Sequence, residues 1–489
     1  MEVKGIKSAE EFNAFCKRNG FIWGPEPELY GGLAGFYTYG PLGKLLKNKV
    51  ESNMREVFRV NGFWEIEAPI VMPEIVWKAS GHIEGFTDPL IRCSKCDSSF
   101  RADKIIEEKH DVVADSFTKK KLIDFIKKHK ITCPKCKGRF VDKIEDFNLM
   151  MKTKIGTDTV AFNRPETATT TYLPFKNYYE YFRRKMPIRV FQIGKAFRNE
   201  ISPRQGVIRG REFTQAEAQL MVTPQDKNNF PEFENVKQYK LPFWPEESQE
   251  KNKKPANKSI EYAVKKKWLQ SKSYAWCIGV AYEFIRSLNI PEDRIRLRQH
   301  TKDERAHYAL DAWDIELNFK QYGWIELLGV HDRQDYDLKQ HDKFSKKGLK
   351  VEGAYPHILE IAFGSDRPTF ALLDLFLETE KTKDVNRFVL KLPKDIAPIQ
   401  VAVFPLMRKD ELKAKARKIC NVLKENYACQ YDEAGSIGKR YRRMDEVGTP
   451  YCITVDYDTL EDDSVTVRDR DTMKQNRVKI KDLHKSLVF

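Results

Sequence analysis

Two pairs of closely spaced thiols are the sharpest chemical signal in this chain: Cys93-Ser94-Lys95-Cys96 and Cys133-Pro134-Lys135-Cys136. Each pair offers two thiolates from one tight turn. Two such turns facing each other complete a tetrahedral four-sulfur site, which suits zinc. Chance pairs or a redox dithiol are the competing readings. No fifth ligand or general base lies nearby in the sequence, so the site reads as closed and structural. The remaining cysteines, Cys16, Cys277, Cys420, Cys429 and Cys452, sit in apolar surroundings and read as core fillers.

A second signal is rich in arginine. Phe197-Arg198-Asn199-Glu200 leads into a polar loop holding Arg204 and Gly206, and Arg209-Gly210-Arg211-Glu212-Phe213 leads out of it. The chain has neither a P-loop nor a dinucleotide fingerprint. An arginine at a strand end pairs bidentately with a phosphate, and a loop arginine reaches a more distal one. An aromatic on the return strand stacks on a base. Taken alone, such a loop is more often simply solvated.

These side chains need elements to hold them. Leu42, Leu45, Leu46, Val50, Met54, Val57 and Phe58 recur at three- and four-residue steps and predict an amphipathic helix over 42–60, stopped by Asn61-Gly62. Phe63 to Met72 reads as a strand; Pro69 within it lacks a donor and marks an edge or a bend. Strands over 188–197 and 212–222 flank the arginine loop. The lysine-rich, proline-punctuated stretch 224–272 reads as an insertion or flexible excursion. Further strand candidates lie within 307–330 and 357–363, and 370–376 reads as a buried helix. Past a junction at 384–398, strands (401–406, 428–432, 452–457, 465–468) alternate with helices, as in a compact α/β domain.

The 489 residues suggest about three structural units. Hydrophobic residues at 41% and aromatics at 12% exclude a disordered chain. Apolar runs fall far short of the ~20 residues that span a bilayer. Met1-Glu2-Val3-Lys4-Gly5 carries no apolar leader, so a cytoplasmic address is the default. The net charge of +15 fits a nucleic-acid partner and equally a solvated, lysine-rich surface.

Set in chain order, three of these segments resemble the signature motifs of class II aminoacyl-tRNA synthetases. They are the 42–60 helix with Phe63–Pro69, the hairpin from Phe197 to Phe213, and Phe363-Gly364-Ser365-Asp366-Arg367 with its apolar helix. Tyr39-Gly40-Pro41-Leu42-Gly43, Ala79-Ser80-Gly81-His82, Phe100-Arg101-Ala102-Asp103, Arg164-Pro165-Glu166-Thr167-Ala168 and Trp324-Ile325-Glu326-Leu327 narrow the resemblance to homodimeric glycyl-tRNA synthetases. So do Asp332–Leu338 and Gly435–Tyr441. The similarity runs from about Trp23 to the C-terminus, with 224–272 uninformative. The N-terminal helical hairpin of eukaryotic forms is missing, so the archaeal type is the closer match.

The resemblance implies an α+β fold: a class II antiparallel-sheet catalytic domain over 1–395, then an α/β anticodon-binding domain over 396–489. The catalytic domain would carry a four-cysteine zinc module at 90–140, with Cys93, Cys96, Cys133 and Cys136 as ligands, and a basic insertion at 222–275. The implied reaction activates glycine with ATP to glycyl-adenylate and passes the glycyl group to the 3′ end of tRNA(Gly). Its implied companions are ATP with Mg²⁺, structural Zn²⁺ and tRNA(Gly), in a two-fold homodimer, away from membranes. Positioning and charge neutralisation carry such chemistry, which makes Arg198 and Arg367 the implied catalytic groups. Arg198 matches the α-phosphate holder; Arg204 and Arg367 match the residues at the β- and γ-phosphates. Phe213 matches the adenine stack with Arg367 on its other face, Glu200 the acceptor from the adenine amino group, and Glu326 a Mg²⁺ or ATP contact. Asn199, Ile208, Arg209, Leu327, Gly364, Ser365 and Asp366 complete the implied ATP site. Glu166, Glu217 and Glu360 match the acids around the glycine ammonium and Arg101 a carboxylate reader; Phe213, Ala362 and Gly364 complete that pocket. In the C-terminal domain, 435–443 and 452–457 are the implied RNA-facing parts, with Tyr441, Arg442 and Arg443 as candidate base readers.

Two departures stand out. Thr169-Thr170 occupy the place of the family's Gln-Gly, and Ile361-Ala362 that of its Pro-Ser. The lost serine hydroxyl removes a polar contact to glycine. Ala362 keeps the pocket small, and Thr169 or Thr170 is placed to compensate. Without a nucleophile or an open metal site, His82, His300, His307, His331 and His357 read as structural or as supports behind the site residues. Two other functions compete. A non-catalytic synthetase-like accessory protein should have lost the phosphate arginines, which are all present. A ligase for threonine, proline, serine or histidine would need a side-chain reader that the three glutamates do not supply. The charge, finally, is local: 93–140 carries net +6 and 251–272 net +7, while 398–489 carries only +3. Both basic stretches are expected to flank the acceptor arm of a tRNA and contact its phosphates.

Overall fold

Nine strands form the central sheet of the computed structural model: β1 (Trp64–Glu65), β2 (Ile188–Phe197), β3 (Glu212–Val222), β4 (Lys240–Trp244), β5 (Ala256–Ser259), β6 (Ile295–Gln299), β7 (Asp311–Phe319), β8 (Gly323–Gln334) and β9 (His357–Gly364). Residues 6, 8–110, 112, 114, 117–201, 203, 206–306, 308–381 and 386–489 are described. The order across the sheet is β5-β4-β6-β7-β8-β9-β3-β2-β1. Pairing is antiparallel except for β4 with β6 and β1 with β2. Side chains alternate between faces along each strand. Ala216, Ala218 and Leu220 of β3, Ile361 and Phe363 of β9, and Leu328 and Val330 of β8 enter the main hydrophobic core. Phe213, Gln215, Glu217 and Gln219 take the other face of β3.

Helices α1 (Pro41–Val60), α2 (Lys272–Ser287) and α3 (Asp366–Phe376) pack on the apolar face. Leu46, Val50, Met54 and Phe58 of α1 are fully buried there, and Phe58 packs against Phe63, Phe191 and Phe363 at centroid distances of 4.9–5.6 Å. Truncating so central an aromatic costs about 3–5 kcal/mol.

Two sequence expectations change, and one strand is new. The strand over 63–72 breaks at its proline region: Trp64–Glu65 ends the main sheet as an edge strand, and Val71–Pro73 pairs instead with Thr159–Asn163 in a separate three-stranded sheet. The stretch 224–272 is no excursion. It supplies β4 and β5, and Phe233, Leu241, Phe243, Ile260 and Leu269 are buried in the main core; its lysines mask an amphipathic pattern. Strand Gln475–Lys479 has no sequence forecast, because its side chains are mostly exposed and carry no alternation.

The cysteine module is wider than 90–140. Strands Thr87–Cys93, Ser99–Arg101 and Phe140–Asn148 form its sheet, and Ala102–Glu107 and Lys119–Lys128 its helices. Ile91, Phe100, Ile105, Leu122, Ile126 and Ile144 give it a core of its own. The C-terminal unit is a five-stranded sheet ordered Cys429–Tyr431, Val401–Pro405, Tyr451–Val455, Ser464–Asp469, Gln475–Lys479. Buried Arg470 donates to the carbonyls of Leu390, Leu392 and Gly448, tying this unit to the segment before it.

Candidate active site

The polar face of β3, β8 and β9 floors a cleft of about 720 Å³. Its walls come from three places: the 80–88 segment with Arg101, the loop between β2 and β3, and the start of α3. Antiparallel register brings Glu217 opposite Ala362 and Glu360 opposite both Gln219 and His331. Arg101, Glu166, Arg198, Glu200, Ile208, Arg209, Phe213, Glu217, Glu326, Leu327, Glu360, Ala362, Gly364, Asp366 and Arg367 all line this one cavity.

At one end lie the phosphate-handling candidates. Arg198 follows the last residue of β2, where its backbone N–H donates to the Arg211 carbonyl at 2.9 Å. Its Nε donates to the Pro165 carbonyl at 3.1 Å, and its guanidinium lies 5.3 Å from the Phe213 ring centroid and 5.4 Å from that of Phe86. Arg198 thus neighbours Phe213 directly. Arg367 donates to the Ile208 carbonyl (3.2 Å) and the Glu326 carbonyl (2.6 Å), and pairs with the Glu326 carboxylate at 3.2 Å. Burial opposes ionisation of Glu326, but Arg367 beside it holds its pKa below the ordinary value. Arg204, expected at the distal phosphates, and His307 lie outside the described residues.

At the other end lie the three glutamates. Glu217 accepts from the Thr167 hydroxyl at 2.6 Å and the Gln215 amide at 2.5 Å. Its pKa is raised well above normal, by burial first and then by the charges of Glu360 and Glu166. Glu360 accepts from Gln219 at 3.0 Å and lies 3.0 Å from His331 Nδ1 and 3.4 Å from Arg333. Burial disfavours its charge, yet Arg333 and His331 bring its pKa below normal. Glu166 also stays ionised against burial, with His82 at 3.5 Å the chief opposing influence. Two acids held towards the charged form and one pushed towards the neutral form thus share a small space.

Arg101 is held by Asp88 at 3.2 Å and by Asp103 at 2.5 Å. Burial pushes the Asp88 carboxyl up to about 6, with Arg101 the main opposing influence. The sheet that carries Arg101 also carries Cys93, so the cysteine module does place it at the cleft. Of the two substituted threonines, Thr169 donates to Glu166 Oε1 at 3.0 Å, which fits compensation. Thr170 instead donates to the Thr167 carbonyl and accepts from Arg164 and Gln192.

Some expected contacts fall elsewhere. Ser365 is fully buried and donates to Glu51 of α1, and Asp366 pairs with Lys47 of α1. Asn199 uses its backbone N–H on the Leu149 carbonyl, and its side chain is not part of the cavity wall. In the C-terminal unit every residue of Tyr451–Val455 is buried, so of the expected segment 452–457 only its end, with exposed Tyr457, is open to RNA. Tyr441 turns inward onto Thr454 at 2.6 Å and Arg443 pairs with Asp432, leaving Arg442 exposed.

Sequence reasoning missed Arg333, Tyr308 and Gln215 as cavity-lining residues, whereas His82 and His331 stand against Glu166 and Glu360 as supports. Arg333 is the important one. It clamps Asp337 through two hydrogen bonds of 2.7 and 2.8 Å and stacks over Tyr308. The available signal was electrostatic: three acids assigned to one pocket require a cation.

The four cysteine sulfurs lie within 4.8 Å of one another, with Cys93 and Cys136 at 3.4 Å and Cys96 and Cys133 at 3.7 Å. Zinc–sulfur bonds of ~2.3 Å in a tetrahedron place sulfurs ~3.8 Å apart, so this donor set fits a metal ion. Both turns are built alike: the N–H of Asp97 donates to the Cys93 carbonyl and that of Lys137 to the Cys133 carbonyl, each from a left-handed backbone. Gly138 fits beneath them; a Cβ there would lie 3.2 Å from the sulfurs of Cys93 and Cys136.

An antiparallel sheet carrying this cleft, joined to a five-stranded C-terminal unit, defines a class II aminoacyl-tRNA synthetase core with an anticodon-binding domain. Family models concur: the tRNA synthetase class II core domain (G, H, P, S and T) matches 161–374, and the anticodon binding domain matches 400–488. The RNA binding domain of threonyl-tRNA synthetase from Cryptosporidium parvum Iowa II shares the fold with TM-score 0.58 at 16% identity, over 97% of both chains. Prolyl-tRNA synthetase of Giardia lamblia, in complex with prolyl-adenylate, does so with TM-score 0.58 at 15%, over 99% of this chain and 76% of its own. In sequence, the glycine–tRNA ligase of Thermococcus kodakarensis is 39% identical over 96% of both chains, and that of Pyrococcus furiosus 40% identical over 98% of both. The chain belongs to the glycine–tRNA ligase family.

Proposed function

We propose that this chain activates glycine with ATP and transfers the glycyl group to the 3′ end of tRNA(Gly). The observation that carries the reading is the division of one cleft into an acid end, Glu166, Glu217 and Glu360, and an arginine end, Arg198 and Arg367. The acid end receives an ammonium, and the small Ala362 lies opposite Glu217 beside it. Glycine's carboxylate oxygen then attacks the α-phosphate of MgATP, and the bond to the leaving pyrophosphate breaks. Arg198 neutralises charge developing at the α-phosphate, and Arg367, swinging from Glu326, meets the distal phosphates. Glu326 released in this way is available to the Mg²⁺ that accompanies the phosphates. Phe213 takes the adenine, Glu200 its amino group, and Arg101 the glycine carboxylate. In the second step a terminal ribose hydroxyl of the tRNA attacks the glycyl carbonyl and AMP leaves.

The cysteine site takes Zn²⁺ as a structural ion. The protein works as a two-fold homodimer in the cytoplasm; the exposed Val60, Trp64, Ile70 and Tyr181 beside β1 supply an apolar surface for a second copy. Incubating the chain with MgATP, labelled glycine and total tRNA tests the function. Acid-precipitable label that is released by mild base supports it; no label on tRNA at micromolar enzyme refutes it.

A further inference from the structure

The side chains of Ser365 and of Asp366, which stands at the edge of the cleft, bond to α1. Lys47 of α1 is 2% exposed. Its Nζ reaches Asp366 Oδ1 at 2.5 Å and the Thr214 hydroxyl at 2.8 Å, and it lies 4.4 Å from the centroid of the Tyr39 ring. The other oxygen of Asp366 accepts the Thr214 backbone N–H at 2.7 Å. Next to this contact, Ser365 donates to the buried Glu51 of α1 at 2.9 Å. Thr214 directly follows Phe213, and Asp366 directly precedes Arg367.

We infer that Lys47 is a positioning residue for ATP: through Asp366 and Thr214 it sets the relative placement of Phe213 and Arg367. The inference rests on the ATP site proposed above. One buried ammonium binds the neighbours of both groups, which come from different elements, β3 and the start of α3. A buried ion pair is weak evidence for stability but holds a specific geometry, since its partners have no other way to be satisfied. The same links make α1 part of the nucleotide site, although none of its side chains lines the cleft. The glycine ammonium, expected at the far end on Glu166, Glu217 and Glu360, lies on side chains that form no hydrogen bond or ion pair with Lys47, Asp366 or Thr214; among these groups, Phe213 is the one that the two pockets share.

MgATP binding by equilibrium dialysis, without glycine, is the primary readout, and glycine KM in pyrophosphate exchange is the second. Lys47→Met is expected to weaken MgATP binding by about tenfold or more, as misplacement of binding groups does, while glycine KM stays within about twofold. Because the two charges act as one unit, Lys47→Met with Asp366→Asn should be little worse than Lys47→Met alone. Unchanged MgATP affinity in folded Lys47→Met, or equal loss for MgATP and glycine, overturns the inference. So does a double variant whose defect is the product of the two single ones. Thr214→Val keeps the ion pair and decides the matter if Lys47→Met does not fold: a few-fold weaker MgATP affinity supports the role, and wild-type affinity overturns it. A wild-type chain that binds MgATP but shows no glycine-dependent exchange defeats the proposed function while leaving the dialysis test valid.

Discussion

In and around the cleft, charge is buried and paired: Lys47 with Asp366, Arg333 with Asp337 and Glu360, Arg101 with Asp103 and Asp88. On the outer surface of the cysteine module and of the 251–272 stretch, charge is exposed. Lys119, Lys120, Lys121, Lys127, Lys128, Lys253, Lys254, Lys265, Lys266 and Lys267 all face solvent, and the pairs they form, such as Lys127 with Asp142, are surface pairs. The contrast separates two uses of charge. Buried, mutually satisfied groups fix positions to a fraction of an ångström and are shielded from salt. Exposed lysines fix nothing, but they attract a polyanion over about a Debye length and lose that attraction as salt rises. Most of the net +15 therefore sits on exposed stretches, whereas the charges around the cleft are paired.

Breaking the cleft side should give the largest effect. Arg198→Ala is expected to lower glycine-dependent pyrophosphate exchange by about 10²–10³ or more while circular dichroism stays native. Full exchange in that variant would remove Arg198 from the reaction. Next comes the module that carries Arg101. Cys133→Ser, or zinc stripping with a strong chelator, should melt the module, because a four-thiolate site contributes folding free energy directly. Glycine KM should then rise about tenfold through misplacement of Arg101; an unaltered glycine KM after stripping would show the module to be independent of the cleft.

A smaller effect follows from Glu217. Burial, Glu360 and Glu166 push its pKa up, towards the protonated form, in the free protein. An arriving ammonium favours the ionised form, so glycine binding should release a proton. Affinity for glycine should then rise with pH, by at most about tenfold per pH unit for one proton. The stability sign runs the other way: with a folded pKa above the unfolded one, the contribution of Glu217 is full at low pH and is lost as pH rises through the folded value. Calorimetry in buffers of different ionisation enthalpy detects the proton; an identical enthalpy in all of them, or an unchanged pH profile in Glu217→Gln, contradicts this assignment. The smallest effect lies on the periphery. Changing Lys253, Lys254, Lys265, Lys266 and Lys267 to Gln should raise tRNA KM a few-fold and flatten its salt dependence, with exchange untouched. An unaltered salt slope would assign those lysines to solvation.

The sequence showed the cleft better than its supports. Strands β2 and β3 and helix α1 appear within a residue of their expected bounds, because each alternates or repeats cleanly against a single core. The cysteine cluster assembles as its spacing implied. Beyond the residues, family resemblance assigned Glu166, Glu217, Glu360, Arg198 and Arg367 to one site, and they share one cavity. What stayed hidden depends on contacts distant in sequence. Nothing local to Asp366 reveals that its partner is Lys47, and nothing local to Glu360 reveals Arg333. Strands β4 and β5 were hidden by composition, since lysines and prolines on the outer face obscure Leu241 and Phe243 on the inner one.

The central claim is that paired, buried charge around a small pocket selects glycine. Its most direct test is pyrophosphate exchange with glycine against alanine, compared as kcat/KM at fixed MgATP. A pocket whose Ala362 wall and buried acids cannot move aside predicts a preference for glycine of about 100-fold or more. Equal kcat/KM for the two amino acids would contradict it.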